Sequence, residues 1–298
     1  MNTKVNIAGI EFKNPVMTAS GTFGSGMEYS DFVDLNKLGA VVTKGVSSVP
    51  WPGNPSPRVT EVTSGMLNAI GLQNPGIDVF IERDIPFLKQ FDTNIIVNVC
   101  GHSVEEYLDA VEKLSEQPVS MLEINVSCPN VKEGALQFGQ DATVLEKVTK
   151  EIKAHTKKPV IMKLSPNVTS IKDMAMAAEA GGADAISLIN TLIGMKIDIY
   201  RKKFVLANKT GGFSGPAVKP VAVRMVYEAS HSVKIPVIGM GGISTGEDAV
   251  EFLMAGATAV SVGTANFAQP NTTELVIEGI EKYMESQNIT DIKDIVRL

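Results

Sequence analysis

PVIGMGGISTGEDAVEFLMAGATAVSVGTANF, residues 236–267, decides the fold. It opens on a short apolar run, PVIGMG (236–241), and closes on another, AVSVGT (259–264). Between them TGEDAVEFLMAGA (245–257) starts at a hydroxyl cap, carries helical spacing and stops at a glycine. Near-continuous apolar runs of this length belong to parallel strands buried on both faces, so the segment reads as strand, helix, strand.

Working outward, the same unit recurs. Six further runs are PVMTAS (15–20), AVVTKG (40–45), NIIVNV (94–99), MLEINV (121–126), PVIMKL (159–164) and AISLIN (185–190), which makes eight strands. Helices are expected over 104–116 after Ser103, with Leu108, Val111 and Leu114 on one face, over 142–156 with Val144, Val148 and Ile152, and over 170–182 after Ser170. The turns GGAD and AGAT, before strands six and eight, look alike and point to a repeated unit. Eight alternations in 298 residues fit a closed (β/α)₈ TIM barrel, one domain over 1–298. An open doubly wound sheet is the rival. SGTFGSG (20–26) only weakly imitates its glycine fingerprint, and Lys44 stands where a ribose-binding acid belongs.

Composition removes other classes. Lys and Arg number 27 against 33 Asp and Glu, a formal charge of −6 without long basic runs, so no nucleic-acid surface is expected. No membrane span and no signal peptide are expected, and the reading is a cytoplasmic protein. Two cysteines (Cys100, Cys128) and three histidines (His102, His155, His231) leave no material for a disulfide framework or an iron–sulfur or zinc site, so no metal is expected.

In a barrel the chemistry sits at the carboxyl ends of the strands. In order these ends carry Ser20, Lys44, Asn98, Asn125 with Cys128, Lys163, Asn190, Gly241 with Gly242, and Gly263 with Thr264. A single strand-end asparagine is a turn former and a single lysine snorkels to solvent; five converging on one rim make a binding site. Long connections at 45–93, 127–158 and 191–235 supply material for a lid over that rim. The glycines ending strands seven and eight offer bare N–H groups before helix starts, which suits a phosphate. Cys100, in NVCG, reads as an inert buried thiol. Cys128, just past a strand end in SCPN and without a neighbouring His or Asp, suits a proton acceptor better than a hydrolytic nucleophile.

NVSCPNVKEG (125–134), GMLNAIGLQNPG (65–76), VIMKLSPNV (160–168), SLINTLIGM (187–195), NKTGGFSGPAVKP (208–220) and IGMGGISTGEDA (238–249) together resemble dihydroorotate dehydrogenase, over about 14–267. The pattern is similar to the cytosolic class with a cysteine base. KEGALQFG after SCPNV, with NPSPR at 54–58, resembles its NAD-linked type B catalytic subunit more than the fumarate-using type A homodimer. The resemblance implies one FMN on top of the barrel. Its phosphate arm would be held by Gly215, Gly241, Gly242, Gly263 and Thr264, and its isoalloxazine lined by Ser20, Lys44, Gly45, Asn98, Asn125, Lys163 and Ile189. Dihydroorotate or orotate would be read by Lys44, Asn68, Ala69, Ile70, Gly71, Leu72, Asn125, Asn190 and Thr191.

By the same resemblance Cys128 takes the C5 proton while the C6 hydride goes to flavin N5, in a step of pyrimidine (UMP) biosynthesis. A partner subunit carrying FAD and a [2Fe-2S] cluster would pass electrons to NAD⁺, in an α₂β₂ heterotetramer. A flavin-free phosphate-binding isomerase or lyase, with Glu123 and Lys163 as its nearest acid/base residues, and a non-enzymatic ligand-binding barrel are the alternatives.

Overall fold

All eight apolar runs are strands, and they close on themselves. The computed structural model describes residues 1–127 and 138–298. Its barrel strands are Val16–Thr18, Ala40–Val42, Asn94–Val99, Met121–Asn125, Val160–Lys163, Ala185–Leu188, Val237–Met240 and Ala259–Val262. Each pairs in parallel with the next in sequence, and the eighth returns to the first through Ser261 opposite Met17. Almost every residue in these strands is buried, because the barrel fills one face and the surrounding helices cover the other. The open-sheet alternative is thereby excluded.

The expected helices form, with their caps. Val104–Ser115 begins where the Ser103 hydroxyl accepts from the Glu106 amide, and Ile171–Ala180 begins where Ser170 accepts from Asp173. Gly246–Met254 has a full capping box, Thr245 and Asp248 each accepting from the other's backbone. Ala142–Ala154 is capped by Asp141. The buried faces differ slightly from the expected spacing. Tyr107 and Ala110 join Val111 and Leu114 inside, while Leu108 is half-buried at the edge. Leu145, rather than Val144, points to the core.

The GGAD and AGAT turns are the same device. Gly182 and Gly256 both adopt positive φ, at 91° and 102°. The next amide then reaches five residues back, Ala183 to the Ala178 carbonyl and Ala257 to Phe252, each at 3.0 Å. After that, Asp184 and Thr258 donate to Val160 and Val237 at the start of the preceding strand.

Two of the long connections are more structured than loops. Val59–Val62 and Gly65–Asn68 from the first, with Leu192–Met195 and Thr210–Ser214 from the third, make a four-stranded antiparallel sheet. Leu67, Ala69 and Leu206 are buried beneath it. The sequence hid this sheet because its strands are short, glycine-rich and only half-buried, so their pairing depends on partners far away in the chain. The same connections also contain helical turns over 77–88 and the helix Lys219–Ser230 that follows strand six. A hairpin of Val5–Ile7 with Ile10–Phe12 and a long helix, Thr272–Ser286, flank the barrel in sequence.

Candidate functional site

The barrel ends in a cavity of about 780 Å³ between the carboxyl ends of its strands and the added sheet. Its wall includes Ser20, Lys44, Gly45, Asn98, Asn125, Lys163, Ile189, Asn190, Thr191, Gly241, Gly242, Gly263 and Thr264 from the barrel rim, and Gly215 beside them. The run Asn68, Ala69, Ile70, Gly71 and Leu72 closes another side. Every sequence-proposed site residue among the described residues thus lies on one cavity. Cys128 lies outside the described residues.

The floor is polar and tightly bonded. Lys163 Nζ donates to Ser20 Oγ at 2.8 Å, joining residues 143 positions apart. Behind it, Glu123 is 2 % exposed in the barrel interior, 3.8 Å from that ammonium. Glu123 accepts from Asn98 Nδ2 at 2.6 Å and from the Ser187 hydroxyl at 2.7 Å. Strand register explains the grouping: Asn98 lies opposite Glu123, and Lys163 opposite Ser187. Asn125 Oδ1 accepts from Asn190 Nδ2 and from the Ser127 amide, both at 3.2 Å, while the buried Tyr107 hydroxyl donates to the Asn125 carbonyl at 2.6 Å.

Lys44 is the wall's second cation. Burial pushes its ammonium below the ordinary lysine range; the Cys100 thiol opposes that shift, while Arg58 and Lys163 add to it. Cys100 itself is buried behind Gly45. The 68–72 run is held by Asn54, whose amide donates to the Ile70 carbonyl at 2.9 Å and whose side chain donates to the Ala69 carbonyl at 3.0 Å.

The glycine end of the cavity needs glycine. Gly241 and Gly242 have φ of 125° and 79°. A Cβ on Gly241 would lie 2.9 Å from Ala222 Cβ, and one on Gly242 would lie 2.8 Å from Lys219 Cβ. The amides of Ser244 and Thr245 at the next helix start are taken by the Asp248 carboxylate, at 2.9 and 3.0 Å. Lys219 balances that carboxylate at 2.6 Å. An anion would therefore not meet the Ser244 and Thr245 amides.

Sequence reasoning missed several wall residues, among them Thr22, Ser165, Asn167 and Ser261. Asn167 joins two mouth segments, donating to the Thr191 carbonyl and accepting from the Ile193 amide, both at 3.0 Å. The quoted LSPN motif was its available signal. Ser261 lies within an apolar strand and gave none. Its hydroxyl and Asn98 Oδ1 are buried polar atoms without a hydrogen-bond partner among the described residues, and both residues line the cavity. Such atoms call for a ligand or water that carries complementary groups. No cluster of three metal-ligating side chains occurs among the described residues, and no helix there is long and apolar enough to cross a membrane.

Relatives share this whole chain. A protein named dihydroorotate dehydrogenase B (NAD(+)), catalytic subunit, from Lachnoclostridium phytofermentans is 68 % identical over 296 residues, covering 99 % of each chain. Proteins of the same name from Alkaliphilus metalliredigens and Geotalea uraniireducens are 62 % and 54 % identical, covering 98–99 % of this chain and 96–98 % of their own lengths. The family model for dihydroorotate dehydrogenase matches residues 2–284, which takes in every barrel strand and the mouth sheet. On that match, and on relatives more than half identical over nearly the whole chain, this chain belongs to the dihydroorotate dehydrogenase family.

Proposed function

We propose that this chain is the catalytic subunit of an NAD⁺-linked dihydroorotate dehydrogenase, oxidising dihydroorotate to orotate with FMN in the barrel mouth. The observation that carries the reading is the convergence of Lys44, Lys163, four asparagines (Asn68, Asn98, Asn125, Asn190) and the Gly241–Gly242 turn on one cavity.

The residues fit FMN. Asn98 Oδ1 and Ser261 Oγ are buried and unpaired on the wall, ready for a ligand with hydrogen-bonding groups. The backbone at Gly241, Gly242, Gly263 and Thr264 suits the phosphate. Ser20, Gly45, Asn98, Asn125, Lys163 and Ile189 suit the ring, and Gly215 the ribityl arm. When bound, FMN supplies the two-electron acceptor that no protein side chain provides.

The chain's own residues do the rest. Lys44 offers its ammonium to the substrate carboxylate, within reach of the 68–72 run. Asn68, Asn125 and Asn190, each both donor and acceptor, read the imide edge of the ring. Lys163, fixed by Ser20, places positive charge at the floor, where negative charge accumulates on reduction. Cys128 accepts the proton lost from substrate carbon C5.

The relatives' name, a catalytic subunit linked to NAD⁺, supports a separate electron-transfer partner. We assign FAD and the [2Fe-2S] cluster to that partner, in an α₂β₂ assembly. The test is direct. The purified chain should bind FMN, and dihydroorotate should bleach the flavin band without oxygen. Cys128→Ser should keep the flavin and lose at least about a hundredfold in bleaching rate. NAD⁺ reduction should appear only with the partner subunit; efficient turnover of the isolated chain with fumarate would overturn the type B assignment.

A further inference from the structure

Glu123 is not on the cavity wall, yet it touches what holds that wall in place. It lies one layer down in the barrel, 2 % exposed, with Oε2 accepting from Asn98 Nδ2 at 2.6 Å and Oε1 from Ser187 at 2.7 Å. The Lys163 ammonium, 5 % exposed, is 3.8 Å away and donates to Ser20 at 2.8 Å. A buried ammonium without a counter-charge is strongly disfavoured, and so is a buried carboxylate. The charged groups facing Lys163 are Glu123 on the neighbouring strand and Lys44 across the mouth, itself flanked by Arg58 and Cys100. Glu123 is thus the buried carboxylate that faces the Lys163 ammonium.

A carboxylate can only accept. By taking the Asn98 N–H₂, it fixes the side-chain amide and leaves Asn98 Oδ1 buried beside Gly45 without a hydrogen-bond partner among the described residues. A neutral residue at 123 would remove both constraints at once.

We propose that Glu123 is a positioning residue for the flavin pocket, acting as the buried counter-charge that holds the Lys163 ammonium in place and as the acceptor that fixes the Asn98 side-chain amide. The inference rests on the FMN reading above, but its test has an arm that needs no flavin.

That arm is a double-mutant cycle on the apoprotein, with Glu123→Gln, Lys163→Met and the double variant compared by chemical denaturation. Each single variant strands one buried charge, whereas the double variant strands neither. The two losses should therefore be non-additive by at least about tenfold in the folding equilibrium constant. If Glu123→Gln is insoluble alone, the double variant should recover soluble protein. Additive losses, or a double variant as defective as the single one, overturn the proposal.

The second arm is the midpoint potential of bound FMN. Glu123→Gln should shift it by different amounts in the wild-type and Lys163→Met backgrounds, because in the second the carboxylate has no ammonium to hold. Equal shifts in the two backgrounds overturn the proposal. Wild-type protein that binds no FMN would sink the flavoenzyme reading, while the apoprotein cycle would still decide the charge pairing.

Discussion

The Thr264 hydroxyl donates to Ser214 Oγ at 2.8 Å, across 50 residues of chain. This bond ties the end of barrel strand eight to the sheet laid over the mouth. It stands between two cavity-lining residues, so it sets the width of the glycine end. Thr264→Val keeps the shape and removes the donor. The expected result is a loss of about fivefold in FMN affinity, the worth of one ordinary hydrogen bond, with little change in thermal midpoint. Flavin fluorescence titration of the apoprotein measures it.

Gly242→Ala tests the cradle. The substitution puts a side chain at a φ of 79° and its Cβ 2.8 Å from Lys219 Cβ and 2.9 Å from the Gly215 carbonyl oxygen. Strain of this kind costs about 1–3 kcal/mol. The thermal midpoint should fall by several degrees and FMN affinity by more than tenfold. Gly9→Ala, also at positive φ but with open space around its Cβ, is the control that should leave FMN affinity unchanged.

Lys44 should make orotate binding depend on pH. Its proton is held less tightly than that of an exposed lysine, chiefly because of burial. A substrate carboxylate favours the charged form, so affinity is full below the depressed value and declines as pH rises through it. The decline should begin clearly below the ordinary lysine value of about 10.4. Lys44→Met should remove this dependence and weaken orotate by about tenfold to a hundredfold. Calorimetric titration in buffers of different ionisation enthalpy would also show the linked proton uptake.

Asp248 should matter for stability in acid. Burial pushes its carboxyl up, but the Lys219 hydrogen bond and the Ser244 and Thr245 amides outweigh that and hold it below the ordinary range. A group lowered in this way stabilises the fold above the unfolded carboxylate value, about 3.9, and the contribution is lost as pH falls through the folded value. Asp248→Ala should cost about 1–2 kcal/mol at neutral pH, for the lost cap and its amide bonds. The gap from wild type should narrow on acidification below the ordinary carboxylate value, as read from urea midpoints.

How far the sequence could be read follows from the range of each interaction. Barrel strands announce themselves because burial on both faces demands runs such as NIIVNV (94–99), and helix starts because Ser103, Ser170 and Thr245 cap amides three residues away. The mouth sheet was not legible. Gly65–Asn68 and Thr210–Ser214 are weak strands alone and become strands only against each other. Asp248 illustrates the same limit: nothing in GGIST (241–245) shows that a carboxylate further along the chain takes the Ser244 and Thr245 amides.

The residues by themselves determined the barrel, its strand ends and the chemical types on its rim, since periodicity and capping act over a few positions. Tertiary structure decided which of those types meet: Lys163 with Ser20, Glu123 with Asn98 and Ser187, and Thr264 with Ser214. Closing eight strands into a ring brings distant chain segments within hydrogen-bond distance. Pairing of neighbouring strands sets Glu123 beside an ammonium 40 residues later, and closure of the ring brings that ammonium to Ser20 at the end of the first strand.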